Sequence, residues 1–298
     1  MTQPSFDRFG PAIPDTPVVL SVPHAGRAYP AALMAQLAVP LATARLLEDR
    51  HVDAVALAAL GGETMLVQRQ ARAWIDLNRR EDERDPAAEA GMPAVTVGGM
   101  PAPAVEPSAR VRAGLGLVPL RVGGRAELWR RRWTGGEVMA RIVADHRPYH
   151  VAVADALGAA AARFGAAVLV DLHSMPPLPG RTPARIVIGD RHGASADGTA
   201  AAIIEAQVAR IGLRSARNLP YAGGHIVERH GHPAFGVHAV QVEIDRSLYL
   251  DRSFDLPLAD KVAWLARWLR AAIDALAQEC RSGALTRPRP VTEPLAAE

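Results

Sequence analysis

The stretch Val168-Leu169-Val170-Asp171-Leu172-His173-Ser174-Met175 constrains this chain more than any other. Val168 to Val170 is an apolar run of the kind that forms a strand buried on both faces. It ends in Asp171 and His173, and side chains two residues apart on a strand point to the same side. Pro176, Pro177 and Pro179 follow at once, so the strand must stop there. Open α/β sheets bind ligands at the carboxyl ends of their strands, where this acid and this imidazole stand. A turn-capping Asp171 and a satisfied strand-end His173 are the plain alternative, and the other stretches decide between the two.

Those stretches repeat the pattern. Pro17 to Val22 reads as a first strand ending at Pro23, with His24-Ala25-Gly26 directly after it. Leu33 to Leu47 reads as short helical pieces broken at Pro40. Asp49 is a helix N-cap candidate, and Asp53 lies one helical turn later on the same face. The helix through Ala54–Leu60 ends at Gly61-Gly62. Thr64–Gln68 is expected as a second strand and Ala73–Leu77 as a third, running into Asn78-Arg79. The segment from Pro86 to Gly124 is rich in Pro, Gly and Ala, and long excursions of this kind serve as lids or binding loops. A short strand is expected near Gly116–Val122, then helix from Arg125 to Phe164, interrupted at Pro148. Arg185–Asp190 reads as a buried strand and Asp197 as the cap of a helix over Gly198–Ile211. Val237–Ile244 reads as the last strand, with Glu243 near its end, and Leu258–Cys280 as a terminal amphipathic helix. Alternating strands and helices predict a single α/β domain on a central mixed, mostly parallel sheet flanked by helices. Residues 1–16 are expected as an irregular leader, 17–280 as the domain with 86–124 as an insertion, and 281–298 as a loose tail.

Composition excludes several chemistries. Cys280 is the single cysteine, so neither an internal disulfide nor a cysteine-based zinc knuckle can form. Lys261 is the single lysine and lies in the terminal helix, away from any strand end, which argues against Schiff-base catalysis. The net charge of +3 does not call for nucleic acid. The Trp129-Arg130-Arg131-Arg132-Trp133 cluster is read as the buried and solvated sides of one helix rather than as a base-stacking platform. No signal peptide and no membrane-length apolar run is evident, so a soluble cytoplasmic protein is expected.

Strand ends thus carry His24, Asn78-Arg79, His173 and Glu243, with Asp49 and Asp53 near a further element. Two histidines and a carboxylate form a common catalytic zinc set with its fourth position open to water. A separate carboxylate, Glu243, is then free to shuttle protons, and Arg79 offers a planar fork for a substrate carboxylate. Hydrolysis of an amide or related acyl bond is the chemistry such a set supports.

Ordered segments across residues 17–252 resemble the N-formylglutamate amidohydrolase family: Ser21-Val22-Pro23-His24-Ala25-Gly26, Asp49-Arg50-His51-Val52-Asp53, Ile75-Asp76-Leu77-Asn78-Arg79, Pro148-Tyr149-His150, Asp171-Leu172-His173-Ser174, Gly223-Gly224-His225-Ile226, and His238 through Glu243 to Asp251. The resemblance implies the zinc carboxypeptidase fold shared with aspartoacylase-like hydrolases. It also implies one zinc or other divalent metal per chain and release of formate from N-formyl-L-glutamate in histidine breakdown. Carried over residue by residue, His24 is the first metal ligand, His173 the last, Glu243 the general base and Asn78-Arg79 the carboxylate clamp. Arg72, Gly224 and Arg229 are further substrate-binding candidates, and Arg181 and Arg185 weaker ones. Arg27 stands three residues after His24 where those relatives carry an acid, so the middle ligand must come from elsewhere, with Asp49 the first choice and Asp53 the second. The expected partner is a small N-acyl amino acid, with no nucleic acid or membrane, and a homo-oligomer is allowed for. The alternatives are a hydrolase of another N-acyl amino acid or small peptide, and a binding protein that kept the fold without the chemistry.

Overall fold

The computed structural model describes residues 4–91, 96–97, 100–101, 108–123 and 126–286, and at 96–97 and 100–101 the backbone alone. Its frame is a seven-stranded sheet. The strands are β1 (Phe6–Phe9), β2 (Val18–Val22), β3 (Thr64–Gln68), β4 (Ala167–Met175), β5 (Ile186–Gly189), β6 (Ser215–Arg217) and β7 (Val237–Asp245), in the order β1-β3-β2-β4-β7-β5-β6. The four strands β3, β2, β4 and β7 run parallel to one another. β1 is antiparallel to β3, β5 is antiparallel to β7, and β6 is parallel to β5. Every residue of β2 and β4 is buried, as apolar runs inside a two-sided sheet require.

The helices in chain order are α1 (Ala31–Gln36), α2 (Leu41–Ala44), α3 (Val52–Ala59), α4 (Ala109–Arg112), α5 (Gly135–Arg141), α6 (Arg147–Phe164), α7 (Gly198–Arg210), α8 (His225–His230) and α9 (Ala259–Ser282). On one face of the sheet Leu20, Val170 and Val242 pack with residues of α3, α7 and α9, among them Val55, Ile204, Leu269 and Ile273. On the other face Val19, Leu169 and Ala239 pack with Tyr149, Val153 and Leu157 of α6 and with Ile226 and Val227 of α8. Strand periodicity then explains where the chemistry sits. On this second face the apolar positions give way, toward the carboxyl ends, to Ser21, to Asp171 and His173, and to Gln241 and Glu243.

Several expectations need correction. Ala73–Leu77 is not a strand. The free edge of β3 is taken by β1, so the leader, expected as irregular, supplies an edge strand, and Phe6 packs edge-on to Tyr149 at 5.4 Å. Ala73, Ile75 and Leu77 still bury their side chains, but in a non-repetitive segment where Asp76 N–H donates to the Leu117 carbonyl at 2.8 Å. Around Gly116–Val122 only Arg121–Val122 pairs, antiparallel to Ala126–Glu127. The Trp129–Trp133 cluster is not helical. Trp129 Nε1 donates to the Pro119 carbonyl at 2.7 Å, and Trp133 is buried, with the Arg141 guanidinium 3.7 Å from its ring centre. Helix begins at Gly135, where Thr134 and Glu137 form a capping box, and not at Arg125, which lies outside the described residues. It passes through a π turn at Ile142–His146 into α6, accommodating Pro148. At the tail Leu285 is buried and its carbonyl accepts from His238 Nε2 at 2.9 Å, while residues 287–298 lie outside the described residues.

Leu169 is fully buried between β4 and α6. Leu169→Ala should lower the unfolding free energy by about 2–5 kcal/mol, read as a lower urea midpoint at unchanged slope.

Candidate active site

The parallel strands end beside a cavity of about 840 Å³ lined by His24, Asp49, His173 and Glu243, with Asn78 and Arg79 on its wall. The register of β4 against β7 sets His173 directly beside Glu243, and that of β4 against β2 sets Asp171 beside Ser21. His24 follows β2 after Pro23. The close backbone approach there requires a glycine at position 26, because a Cβ would lie 2.0 Å from the Gln70 carbonyl oxygen.

Two buried carboxylates set both imidazoles. His24 Nε2 lies 2.7 Å from Asp76 Oδ1, and His173 Nε2 lies 2.8 Å from Asp171 Oδ2. A carboxylate accepts, so each Nε2 donates, and Nδ1 is the nitrogen left to face an ion. Burial opposes a charge on His173, but Asp171 and Asp49 outweigh it and push its pKa well up, so without an ion Asp49 accepts from His173 Nδ1, and an ion would displace that proton. Both Nδ1 atoms face one oxygen, Asp49 Oδ2, at 3.6 Å from His24 and 3.0 Å from His173. His24 Nδ1 is buried without a hydrogen-bond partner. Two imidazole nitrogens and a carboxylate oxygen that converge, each imidazole backed on its other side by an acid, fit a zinc-type site. Burial opposes ionisation of Asp49, but His173 and His24 outweigh it and hold its carboxyl well below the usual range. The other Asp49 oxygen accepts from Arg246 Nη2 at 3.1 Å.

Asp49 is free for this role because it caps nothing. The residue preceding α3 is His51, in the left-handed region at φ 59, with no side-chain cap. That reversal also separates the two acids that helical spacing would align. Asp53 turns to Arg27 in a two-point ion pair at 2.9 and 2.7 Å and does not line the cavity. Arg27, which stands where an acid was sought, is thus the group that removes Asp53.

Asn78 and Arg79 project from the segment expected as a strand. Asn78 Oδ1 accepts from Ile226 N–H at 2.8 Å, and its Nδ2 donates to Gln241 Oε1 at 3.2 Å. Gly224 permits this, since a Cβ there would lie 2.4 Å from the Asn78 amide. Arg79 is not a surface partner of Glu81–Glu83. It is 3% exposed, donates from Nε to the Leu115 carbonyl and from Nη1 to the Asn78 carbonyl, and has no partner for buried Nη2. Burial pushes its pKa down to about 10, which leaves it a cation at neutral pH. Glu243 accepts from Gln241 Nε2 at 2.8 Å. Burial pushes its carboxyl up; His173 pulls the other way and Asp49 adds to the rise.

Arg72 lines the cavity, but its guanidinium is engaged by Asp76 Oδ2, at 2.9 Å from Nε and 2.8 Å from Nη2. Arg229 is exposed on α8 and Arg181 is exposed in a loop, and neither lines the cavity; Arg185 pairs with Asp245 at 2.7 Å. Sequence reasoning missed Asp76, Gln241 and Arg246. Gln241 had a signal, being two residues before Glu243 on the same strand face. Asp76 and Arg246 act through partners far along the chain, and nothing in their spacing marked them. From the excursion, the described residues Arg110, Leu115 and Val122 supply part of the cavity wall.

A family model for N-formylglutamate amidohydrolase matches residues 16–250. The chain belongs to the N-formylglutamate amidohydrolase family. It is 32% identical over 268 residues to an N-formylglutamate deformylase of Pseudomonas aeruginosa, covering 87% of this chain and 91% of that one. It is 30% identical over 247 residues to an N-formylglutamate deformylase of Pseudomonas putida, covering 80% and 83%. A solved N-formylglutamate amidohydrolase from Ralstonia eutropha superposes with a TM-score of 0.82 at 32% identity, over 94% of this chain and 99% of that one. A gene product of Agrobacterium tumefaciens, 21% identical with a TM-score of 0.62 over 93% and 96%, shares the fold.

The Gly224 contact is testable in this family member by stability alone. Gly224→Ala must push the Asn78 side chain off Ile226 and Gln241 and should cost about 1–3 kcal/mol as an overpacked site, measured by urea unfolding.

Proposed function

We propose that this chain is a metal-dependent amidohydrolase that converts N-formyl-L-glutamate and water to formate and L-glutamate. The observation that carries the reading is the convergence of His24 Nδ1 and His173 Nδ1 on Asp49, with the opposite nitrogens committed to Asp76 and Asp171. The names of the two Pseudomonas relatives supply the substrate. His24, Asp49 and His173 would hold one divalent ion, zinc by the donor set. Such an ion supplies Lewis acidity toward a carbonyl oxygen and lowers the pKa of water.

The chain's own residues do the rest. Arg79, with Nη2 free and its other nitrogens fixed, takes a substrate carboxylate and sets the formyl group toward the strand ends. Glu243, with its carboxyl raised by burial, accepts a proton from the attacking water and delivers it to the amine nitrogen as the C–N bond breaks. Water adds to the formyl carbon, formate leaves with the oxygen, and the amine leaves protonated. Gln241 orients Glu243, and Arg246 holds Asp49. On the family resemblance alone we place the reaction in histidine breakdown, in the cytoplasm.

Purified protein should release formate from N-formyl-L-glutamate, lose that activity on chelation and regain it with added zinc. Glu243→Gln should keep the metal and lower kcat by about 10²–10⁴. Bound metal without formate release would discard this substrate, and a folded protein with neither would end the metallohydrolase reading.

The two aspartates give a sharper check on the ion itself. Asp49→Asn should weaken zinc retention at least about tenfold, whereas Asp53→Asn should leave metal content as in the wild type, both measured by elemental analysis after dialysis against a graded chelator. Equal loss in both would overturn the assignment of Asp49.

A further inference from the structure

Four histidines lie behind the cavity wall, outside the set around Asp49. His146, His150 and His230 are buried and His225 nearly so. Nitrogens of His146, His150 and His225 come within 4.8 Å of one another. Their bonding argues against an ion there. His150 has both nitrogens committed, Nε2 to the Leu77 carbonyl at 3.0 Å and Nδ1 to His230 Nε2 at 2.9 Å. His146 commits Nε2 to the Arg79 carbonyl at 2.8 Å. The nearby carboxylates are already paired, Glu81 with Arg147 at 2.8 Å and Glu228 with Arg191 at 2.6 Å.

What the cluster holds is backbone. A carbonyl only accepts, so His146 and His150 each donate from Nε2, and His150 Nδ1 must accept from His230. Burial keeps the array neutral: it pushes His150 well down, His146 down, and His230 down to about 3. The carbonyls of Leu77 and Arg79 are thus pinned from one side. The Asn78 carbonyl between them accepts from Arg79 Nη1 at 2.8 Å, and Asn78 N–H donates to Asp76 Oδ1 at 2.9 Å. The geometry is a match of two repeats. Residues four apart on a helix rise about 6 Å on one face, close to the reach of two extended residues, roughly 6.6–7.2 Å.

We propose that His146 and His150 are positioning residues for the substrate-carboxylate clamp, holding the Leu77 and Arg79 carbonyls so that the Arg79 guanidinium is presented to the cavity already ordered. This segment has no sheet pairing to hold it, so without the two donors its backbone order is lost before substrate arrives. The inference rests on the reading of Arg79 as the group that takes the substrate carboxylate. A clamp contributes equally in ground and transition states, so its disorder shows in KM rather than kcat.

The test compares His146→Asn and His150→Asn, whose amides are too short to reach the carbonyls, with His146→Gln and His150→Gln, whose amide nitrogen replaces Nε2. The Asn variants should raise KM for N-formyl-L-glutamate about tenfold, the scale of one lost hydrogen bond, with kcat within about twofold and metal content unchanged. The Gln variants should return KM to within about threefold of wild type. Hydrogen exchange of the backbone through 77–81 should quicken in the Asn variants and not in the Gln variants. Wild-type KM and exchange in the Asn variants, or Gln variants as impaired as Asn, would overturn the proposal. If an Asn variant does not fold, His230→Phe, which removes the donor to His150, decides instead: a raised KM with kcat kept supports the proposal, and a wild-type KM overturns it. If the wild type releases no formate from this substrate, the functional reading fails by itself. Exchange then decides the positioning role, supported by acceleration confined to 77–81 and overturned by none.

Discussion

Everything at the strand ends depends on two buried carboxylate–imidazole bonds, Asp76 to His24 and Asp171 to His173. Each commits Nε2 as a donor and leaves Nδ1 as the nitrogen that faces Asp49. Neither acid could hold its charge unaided in this interior. Asp76 is deeply buried, yet Arg72, His24 and Arg79 outweigh that burial and keep it well below the usual carboxylate range. Asp171 accepts in addition from Ser21 Oγ at 2.7 Å, and Ser21 is within 2.9 Å of the Tyr149 hydroxyl, so the acid is tied through β2 to α6. The metal-ligand candidates are therefore the inner end of a network that begins in the packing of helix on sheet.

That network also explains two of the arginines around the cavity. Arg72 answers Asp76, and Arg246 answers Asp49 while reaching Ser174 Oγ at 3.1 Å. Arg79 is different. Its Nε and Nη1 bind carbonyl oxygens and not carboxylates, and its nearest acid, Asp76, lies 3.8 Å away and is shared with Arg72. Burial costs it part of its proton affinity without a full ion pair in return. A desolvated cation on the cavity wall with one unpaired nitrogen is suited to an anion from outside. Arg72 and Arg246 are structural cations that a substrate would have to strip from their partners.

The parts of this arrangement that could be read in the sequence are those decided locally. Uniform apolar runs ending in polar residues gave away β2, β4 and β7, and with them His24, His173 and Glu243. What distance along the chain conceals was not legible. Ala73–Leu77 has the alternation of a strand, but whether it pairs depends on the edge of β3, and Phe6–Phe9 occupies that edge. The Trp129–Trp133 cluster has the spacing of an amphipathic helix, but its tryptophans are buried around Arg141 and the 115–122 loop. The choice between Asp49 and Asp53 turned on one backbone angle, at His51, in a residue type that gives little warning of a left-handed turn.

The candidate site draws Asn78 and Arg79 from a loop whose groups are nonetheless held in place. Asn78 and Arg79 belong to no strand or helix, and a free loop would lose their geometry. The Leu77 and Arg79 carbonyls are instead taken up by His150 and His146, the Asn78 backbone N–H by Asp76, and the Asn78 side chain by the α8 terminus at Ile226 and by Gln241 of β7. Apart from Asp76, these partners come from the helix that carries His146 and His150, from α8 and from β7, so the segment is ordered only when all three are in place. A short stretch without secondary structure thereby inherits the stability of the whole core, and a ligand entering the cavity meets donors that need no further ordering.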